Sequence, residues 1–302
     1  MKDRPEVHVT AGVLADGDGR VLVAQRPVGK HLAGRWEFPG GKLNPGEAPL
    51  AGLKRELAEE LGVTLEEAEP LIRLHHDYPD RRVLLDVWRV TRYAGTPASL
   101  DRQALDWVAP DRLPSIDLLE ADRPIITALR LPPRARCVVS LQDLAEAARR
   151  KLPEALFWRP DGIDAGAPET QAAVRAARHA GHRVLVAGDG VEAVMTAATT
   201  AADGILLEPT GARLSFDRGG SFICGTLCPT PATAEAAVRT GAHFLVLAPS
   251  AGRADERQIV PLLRRLGVPA YLGWYKDDRA LEKVRAAGAH GCAIGPFAPA
   301  GT

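Results

Sequence analysis

Residues 41–63 read GKLNPGEAPLAGLKRELAEELGV, a glycine-rich loop followed by an acidic amphipathic segment. The apolar spacing predicts a helix over Leu50–Leu61. Three carboxylates, on Glu56, Glu59 and Glu60, are spaced i, i+3 and i+4 along this helix and therefore share one face. The neighbouring face is apolar and consists of Leu50, Leu57 and Leu61. One side of the helix thus turns to a core, while another concentrates negative charge.

The clustered carboxylates indicate a site for a divalent cation. Like charges at this spacing repel each other, and Arg55 is the one basic residue on that face. Magnesium prefers oxygen ligands and is typically held by one or two carboxylates together with substrate phosphates, so the pattern points to phosphate chemistry. In isolation the same string is more typical of a solvated acidic helix face. The glycine-rich turn at 38–41, with Glu47 placed to bind Arg55, favours the functional interpretation.

These 23 residues resemble the signature of the Nudix hydrolases, G-x5-E-x7-R-E-U-x-E-E-x-G-U, at every defined position. The first part of the chain resembles the MutT-like branch, which hydrolyses nucleoside triphosphates to monophosphates and pyrophosphate and removes oxidised guanine nucleotides such as 8-oxo-dGTP. The resemblance implies an α/β/α sandwich with a mixed sheet. It also implies a role in DNA replication and repair through nucleotide-pool sanitation, and a Mg²⁺ cofactor with Mn²⁺ as an alternative.

The resemblance assigns roles to individual residues. The implied catalytic set is Glu47, Arg55, Glu56, Glu59 and Glu60. Glu56 and Glu60 would hold the metal together with the carbonyl of Gly40, and Glu59 would support the same cluster. Metal ions neutralise phosphate charge and orient or deprotonate a water for in-line attack, here at the β-phosphorus. The carboxylate that serves as general base stays open at this point.

A further metal ligand from outside the helix is usual in the MutT-like branch, in a loop just before an aromatic residue. Asp106 precedes Trp107 and is the candidate here. A solvated turn aspartate is an alternative of equal weight.

Four residues are candidates for nucleotide recognition by the same resemblance: Arg26, His31, Phe38 and Asp122. Arg26 and His31 would reach phosphate or sugar, and Phe38 would either pack against the base or anchor its loop in the core. Asp122, in the segment 121–125, stands where the branch has an asparagine that reads the purine edge. An ionised carboxylate only accepts hydrogen bonds. This departure leaves two alternatives, a protonated Asp122 or a different base.

Length and composition predict two folded domains. The chain has 302 residues, of which 46% are hydrophobic and 25% charged, as in ordinary globular proteins. A double proline, Pro132-Pro133, follows a helix-like stretch at 124–129 and stops it. We therefore expect a first domain over residues 1–132 and a second over 133–302.

Charge and cysteine usage exclude several classes of function. Lys+Arg and Asp+Glu are both 38, so no overall field attracts nucleic acid or an anionic membrane. The four cysteines form no CxxC pair, which argues against a disulfide framework or structural zinc. Because the N-terminus lacks the apolar region of a signal peptide and no long apolar run occurs, we expect a cytoplasmic protein.

The two halves differ in their secondary-structure pattern. The first half has strand patterns around one strong helix, at Val7–Leu14, Val21–Gln25 and Val83–Tyr93. The second half alternates apolar runs with alanine-rich helical stretches, the runs lying at 137–140, 155–158, 183–187, 204–208, 222–226, 243–248, 269–273 and 291–295. This alternation predicts a (β/α)8 barrel, although few residues remain after the last run for an eighth helix.

Strand and helix order in the second half resembles the thiamine phosphate synthase and TenI-like barrels. Glycines after the seventh and eighth runs, Gly273 and Gly295, would expose backbone N–H groups to a phosphate, or form tight turns. The basic strand end of the synthases is replaced by 156–160, and Pro229 stands where some TenI-like barrels have a histidine. We therefore expect a barrel that binds a phosphate-bearing ligand or serves as a non-catalytic module. An alternative is a Nudix enzyme acting on a thiamine-pathway pyrophosphate.

Overall fold

The computed structural model describes residues 4–29, 31–208, 222–248, 261–263 and 265–295. The chain divides into two compact units, Met1–Leu129 and Arg130–Thr302. The divide precedes the sequence-based boundary because Leu131 is 1% exposed and belongs to the core of the second unit. The hydroxyl of Tyr271 also donates to the carbonyl of Pro132.

Among its described residues the first unit has seven strands and two α-helices. The strands are β1 (Glu6–Val13), β2 (Val21–Gln25), β3 (Trp36–Glu37), β4 (Gly40–Lys42), β5 (Thr64–Asp77), β6 (Arg82–Ala94) and β7 (Leu105–Val108). The helices are α1 (Pro49–Leu61) and α2 (Arg123–Arg130), the latter crossing the divide by one residue. Three of the strands and α1 were predicted within one or two residues of these bounds.

Two sheets form the framework of this unit. The larger has the order β4-β1-β6-β5, in which β1 and β6 are parallel and the other pairs antiparallel; the smaller, β3-β2-β7, is antiparallel. Helix α1 packs on one face of the larger sheet, where a Cβ on Gly12 would lie 3.2 Å from Leu53 Cδ1. Ile125 and Ile126 of α2 share a core with Leu85 of β6. This α/β/α arrangement with a mixed sheet confirms the predicted fold class.

The second unit is a closed barrel of eight parallel strands, in the order β10-β11-β12-β13-β14-β15-β8-β9. The strands are β8 (Arg134–Val138), β9 (Ala155–Trp158), β10 (Arg183–Gly188), β11 (Gly204–Leu207), β12 (Ile223–Cys228), β13 (Phe244–Leu247), β14 (Ala270–Tyr275) and β15 (Gly291–Ile294). Its helices are α3 (Leu141–Ala147), α4 (Pro168–His179), α5 (Gly190–Thr200), α6 (Pro231–Arg239) and α7 (Leu281–Ala286). The predicted barrel is confirmed; the position of an eighth helix, after residue 295, lies outside the described residues.

Aromatic rings fill the barrel interior. Phe157 stacks on Phe244 with ring centroids 6.0 Å apart, and Tyr271 packs edge-on against both rings. The amide of Gly225 lies against Phe244, since a Cβ at this glycine would come 2.1 Å from the ring. The interior is thus a packed core and not a channel. No helix among the described residues is long and apolar enough to span a membrane.

Candidate active site

Two glycines bring strand β4 against the carboxylates of α1. A Cβ on Gly41 would lie 2.4 Å from the carboxylate of Glu56, and a Cβ on Gly40, at φ +145°, would lie 2.2 Å from the carbonyl oxygen of Thr10. Any side chain larger than the hydrogen of glycine would clash with the Glu56 carboxylate at position 41 and with the Thr10 carbonyl at position 40. The sequence Gly40-Gly41 therefore permits the close approach of backbone to carboxylate that defines this part of the site.

Arg55 organises the carboxylates of the loop and of α1. Its Nε and Nη2 atoms donate to the two oxygens of Glu47 at 3.0 and 2.9 Å, a bidentate pair. Its Nη1 donates to Glu56 at 2.8 Å and to Glu59 at 3.1 Å. Hydrogen bonding to Arg55 holds the pKa of Glu47 at about 2, and the carboxylates raise the pKa of Arg55 above its usual value. The predicted contact of Glu47 with Arg55 is present, and Arg55 also offsets charge on two of the three helix carboxylates.

Glu60 has a different environment. Its two oxygens accept hydrogen bonds from the Gly40 backbone N–H at 3.2 Å and from the Gln103 side-chain amide at 3.3 Å. Burial, together with the nearby carboxylates of Glu56 and Glu37, raises the pKa of Glu60 to about 7 against the lowering effect of the two donors. A cation bound here would favour the ionised form.

The residues present fit a magnesium ion held partly by substrate. Glu56 and Glu60 both line a cavity of about 520 Å³, with Gly40 and Gly41 beside them. Among the described residues no group of three or more His, Cys, Asp or Glu side chains is arranged as a metal cage. Two carboxylates completed by substrate phosphates is the usual protein environment of Mg²⁺.

Four of the sequence candidates do not line this cavity: Glu47, Arg55, Glu59 and Asp106. Asp106 is exposed on β7, where it pairs with Val23 of β2, and it does not line the cavity. Glu59 has 60% of its side chain exposed and contacts the site through Arg55. Asp106 as a metal ligand therefore stays a prediction, with a side chain that is exposed and outside the cavity lining. From the same loop, Gln103 reaches Glu60 instead.

All four nucleotide candidates line the same cavity. Arg26 forms an ion pair with Glu37 and donates from Nε to the His31 carbonyl at 2.7 Å. The His31 ring lies edge-on to Tyr78 with centroids 6.3 Å apart. Phe38 is 2% exposed and packs within the core, so its ring anchors the loop while bordering the cavity.

Asp122 is a buried carboxyl group that lines the cavity. It is 5% exposed, and one oxygen accepts the Phe38 backbone N–H at 3.1 Å. Burial, together with the charge of Glu37, raises the pKa of Asp122 to about 7 against the lowering effects of the Phe38 N–H and of Arg26. The sequence left open whether Asp122 is protonated; in this environment its carboxyl titrates near neutral pH.

Sequence reasoning missed four residues of the cavity and its support: Glu37, Tyr78, Arg81 and Gln103. Glu37 directly precedes the glycine-rich turn at 38–41, so its position in the sequence could have indicated that it lies near the site. Tyr78 and Arg81 belong to the turn between β5 and β6, and β5 itself was not predicted. Gln103 lies in a polar loop whose sequence does not distinguish it from its neighbours.

An acidic helix packed against a glycine-constrained turn beside a cavity is typical of hydrolases of phosphate compounds. The NUDIX domain family matches residues 10–128. An 8-oxo-dGTP diphosphatase of Proteus vulgaris is 43% identical over 31% of this chain and 83% of its own length. An 8-oxo-dGTP diphosphatase of Escherichia coli K12 is 30% identical over 41% of this chain and 97% of its own length. A CTP pyrophosphohydrolase of the same strain is 36% identical over 40% of this chain and 90% of its length. The chain belongs to the Nudix family, and its first unit is a nucleotide pyrophosphohydrolase acting on phosphoric anhydrides.

Proposed function

We propose that the first unit hydrolyses 8-oxo-dGTP to the monophosphate and pyrophosphate with bound Mg²⁺. The observation that carries this substrate is the buried Asp122, which lines the same cavity as the carboxylates of Glu56 and Glu60. The names of two relatives, both 8-oxo-dGTP diphosphatases, support the same substrate.

Hydrogen-bond complementarity explains the preference for the oxidised base. A neutral carboxyl group has one donor and one free acceptor, as an asparagine side chain does. The edge of 8-oxoguanine offers the O6 acceptor beside an N7–H donor, whereas guanine offers acceptors at both O6 and N7. A protonated Asp122 pairs with both groups of the oxidised base and leaves guanine N7 facing an acceptor. Such an unpaired buried group costs binding free energy.

We infer the following roles for the carboxylates at the cavity. Glu56 and Glu60 would hold Mg²⁺, which when bound neutralises phosphate charge and activates a water. Arg55, held by Glu47, fixes the orientation of Glu56. Arg26, Lys42 and Arg81 line the cavity, and we infer that these cations contact the phosphates or the sugar.

The test is the hydrolysis of a substrate panel by the full chain and by Glu56→Gln and Glu60→Gln variants. We expect 8-oxo-dGTP to give the highest kcat/KM and each variant to lose turnover while its thermal unfolding stays cooperative. Full activity in both variants would refute the assignment of the site.

A second candidate is a cytosine nucleotide, favoured by the acceptor character of an ionised Asp122. A carboxylate accepts a hydrogen bond from the exocyclic amino group of cytosine, and a relative is named a CTP pyrophosphohydrolase. The two candidates respond to pH in opposite directions, because one needs the neutral carboxyl and the other the carboxylate.

For the second unit we propose a TenI-like, non-catalytic module that binds a small phosphate compound at the carboxyl ends of its strands. Its support is the buried ion pair of Arg159, directly after β9, with Glu208, directly after β11, since ligand sites of such barrels lie at this end. Burial raises the pKa of Cys228 to about 12, which argues against a thiolate nucleophile. The N–H of Gly295 donates to the Tyr275 carbonyl, so it supports a turn and not a phosphate cradle.

A thermal-shift titration of the full chain tests the barrel proposal. Pyrophosphate and hydroxymethylpyrimidine pyrophosphate are the probes, and Glu56→Gln serves as background so that the first unit does not hydrolyse them. A shift that Glu208→Gln removes supports a barrel site, and a shift unchanged by Glu208→Gln contradicts it. Hydrolysis of the pyrimidine pyrophosphate in preference to 8-oxo-dGTP by the wild type would instead favour the thiamine-pathway substrate.

A further inference from the structure

A segment between β6 and β7 lies against the carboxyl end of α1. The backbone N–H of Leu100 donates to the Glu60 carbonyl at 2.9 Å, and that of Ala98 donates to the Leu61 carbonyl at 3.0 Å. Helix carbonyls at this end have no partner within the helix. The segment 98–103 therefore fixes the position of the last turn of α1, which carries Glu60.

The same segment turns one side chain inwards. Arg102 has φ +59°, a left-handed conformation that is uncommon for a residue with a Cβ. Residues 100–102 and 104 are exposed, whereas Gln103 between them is 8% exposed. The backbone reversal at Arg102 thus directs the Gln103 carboxamide into the protein, where it reaches Glu60.

Glu60 is held by neutral donors. Gln103 Nε2 donates to one carboxylate oxygen at 3.3 Å, and the Gly40 N–H donates to the other at 3.2 Å. Arg55, by contrast, donates to Glu56 and Glu59. A neutral donor orients a carboxylate without cancelling its charge, whereas a guanidinium competes with a metal for the same oxygens.

We propose that Gln103 is a positioning residue for metal binding: its amide fixes the rotamer of Glu60 so that the remaining lone pairs of this carboxylate face Glu56. The inference rests on the proposed roles of Glu56 and Glu60 as metal ligands. Groups that orient a metal ligand in this way typically contribute about 10–100-fold to metal affinity.

Gln103→Met tests the proposal, because methionine is close in length and flexibility but cannot donate to Glu60. The readout is the dissociation constant of Mn²⁺ for the substrate-free protein, measured by electron paramagnetic resonance. We expect binding weakened by about 10–100-fold, with kcat for 8-oxo-dGTP largely restored at saturating Mg²⁺. Leu100→Ala is the control within the same segment: its side chain lies away from Glu60, so the expected Mn²⁺ affinity is unchanged.

Three outcomes are distinguishable. Weaker Mn²⁺ binding in Gln103→Met but not in Leu100→Ala supports the positioning role. Unchanged Mn²⁺ binding in Gln103→Met, with Glu60→Gln abolishing it, overturns the role of Gln103 while leaving the metal ligands intact. Unchanged binding in both Gln103→Met and Glu60→Gln overturns the ligand assignment on which the inference rests.

Discussion

Replacing Asp122 by asparagine tests how the cavity reads the base. The asparagine oxygen can accept the Phe38 N–H, now 3.1 Å from the Asp122 carboxylate, and its NH₂ group then faces the cavity as a permanent donor. The variant therefore has the hydrogen-bonding pattern of the protonated acid at every pH. Wild-type Asp122 has this pattern only below its pKa of about 7.

The size of the effect follows from that pKa. Above pH about 7 the neutral fraction of Asp122 falls about tenfold for each pH unit, equivalent to about 1.4 kcal/mol of transition-state binding per unit. Over the same pH range the ionised fraction of Asp122 approaches one, so the apparent affinity for a cytosine nucleotide reaches its plateau. The ratio of kcat/KM for 8-oxo-dGTP to that for CTP should therefore fall steeply as pH rises through neutrality in the wild type.

The assay is this ratio, measured at saturating Mg²⁺ from about pH 6 to pH 9. A ratio is needed because any titration of the shared catalytic groups, Glu60 included, affects turnover of both substrates equally and cancels. We expect a pH-independent ratio in Asp122→Asn. Asp111→Asn, an exposed position outside the cavity, should behave like the wild type. A wild-type ratio that does not change with pH would refute the reasoning.

Other consequences concern stability and geometry. Because burial raises the pKa of Asp122 to about 7, its ionisation destabilises the fold as pH rises from about 4 to about 7, so the Tm of Asp122→Asn should increase relative to wild type across that window. Ionisation of Glu47 has the opposite effect on stability, because the pKa of this carboxyl is lowered to about 2. The Tm advantage of wild type over Glu47→Gln should therefore disappear as pH falls from about 4.5 to about 2. Gly41→Ala forces a Cβ to within 2.4 Å of the Glu56 carboxylate, and we expect kcat to fall by about 10–100-fold. Gly17→Ala, with nothing within 4 Å, should leave kcat unchanged.

Elements with strong local signals could be predicted from the sequence. Helix α1 has regular apolar spacing and a glycine, Gly62, in the left-handed conformation at its end. The barrel strands are short apolar runs between helices, which is a pattern that buried parallel strands share. The contact of Glu47 with Arg55 followed from the resemblance, since both belong to one continuous motif.

Strand β5 could not be predicted because its pattern is irregular. It runs for 14 residues, contains Pro70, and changes register with β6 near Leu65 and again between Pro70 and Ile72. Such bulges interrupt the alternation on which strand prediction depends. The turn after β5, with Tyr78 and Arg81, was missed with it.

Contacts between residues that are far apart in the sequence could not be predicted either. Gln103 and Glu60 are 43 positions apart, and Asp122 and Phe38 are 84 apart. Asp106 was predicted because it precedes an aromatic residue, and Gln103 was not considered. The left-handed backbone at Arg102, next to the inward-turned Gln103, has no signal in the sequence.

The most direct test of the account is the product analysis of 8-oxo-dGTP hydrolysis by the full chain with Mg²⁺. The account predicts release of pyrophosphate and 8-oxo-dGMP, at a kcat/KM well above that for dGTP at pH 6, and loss of turnover in Glu60→Gln. Release of single phosphates, equal rates with dGTP at pH 6, or unaltered turnover in Glu60→Gln would contradict it.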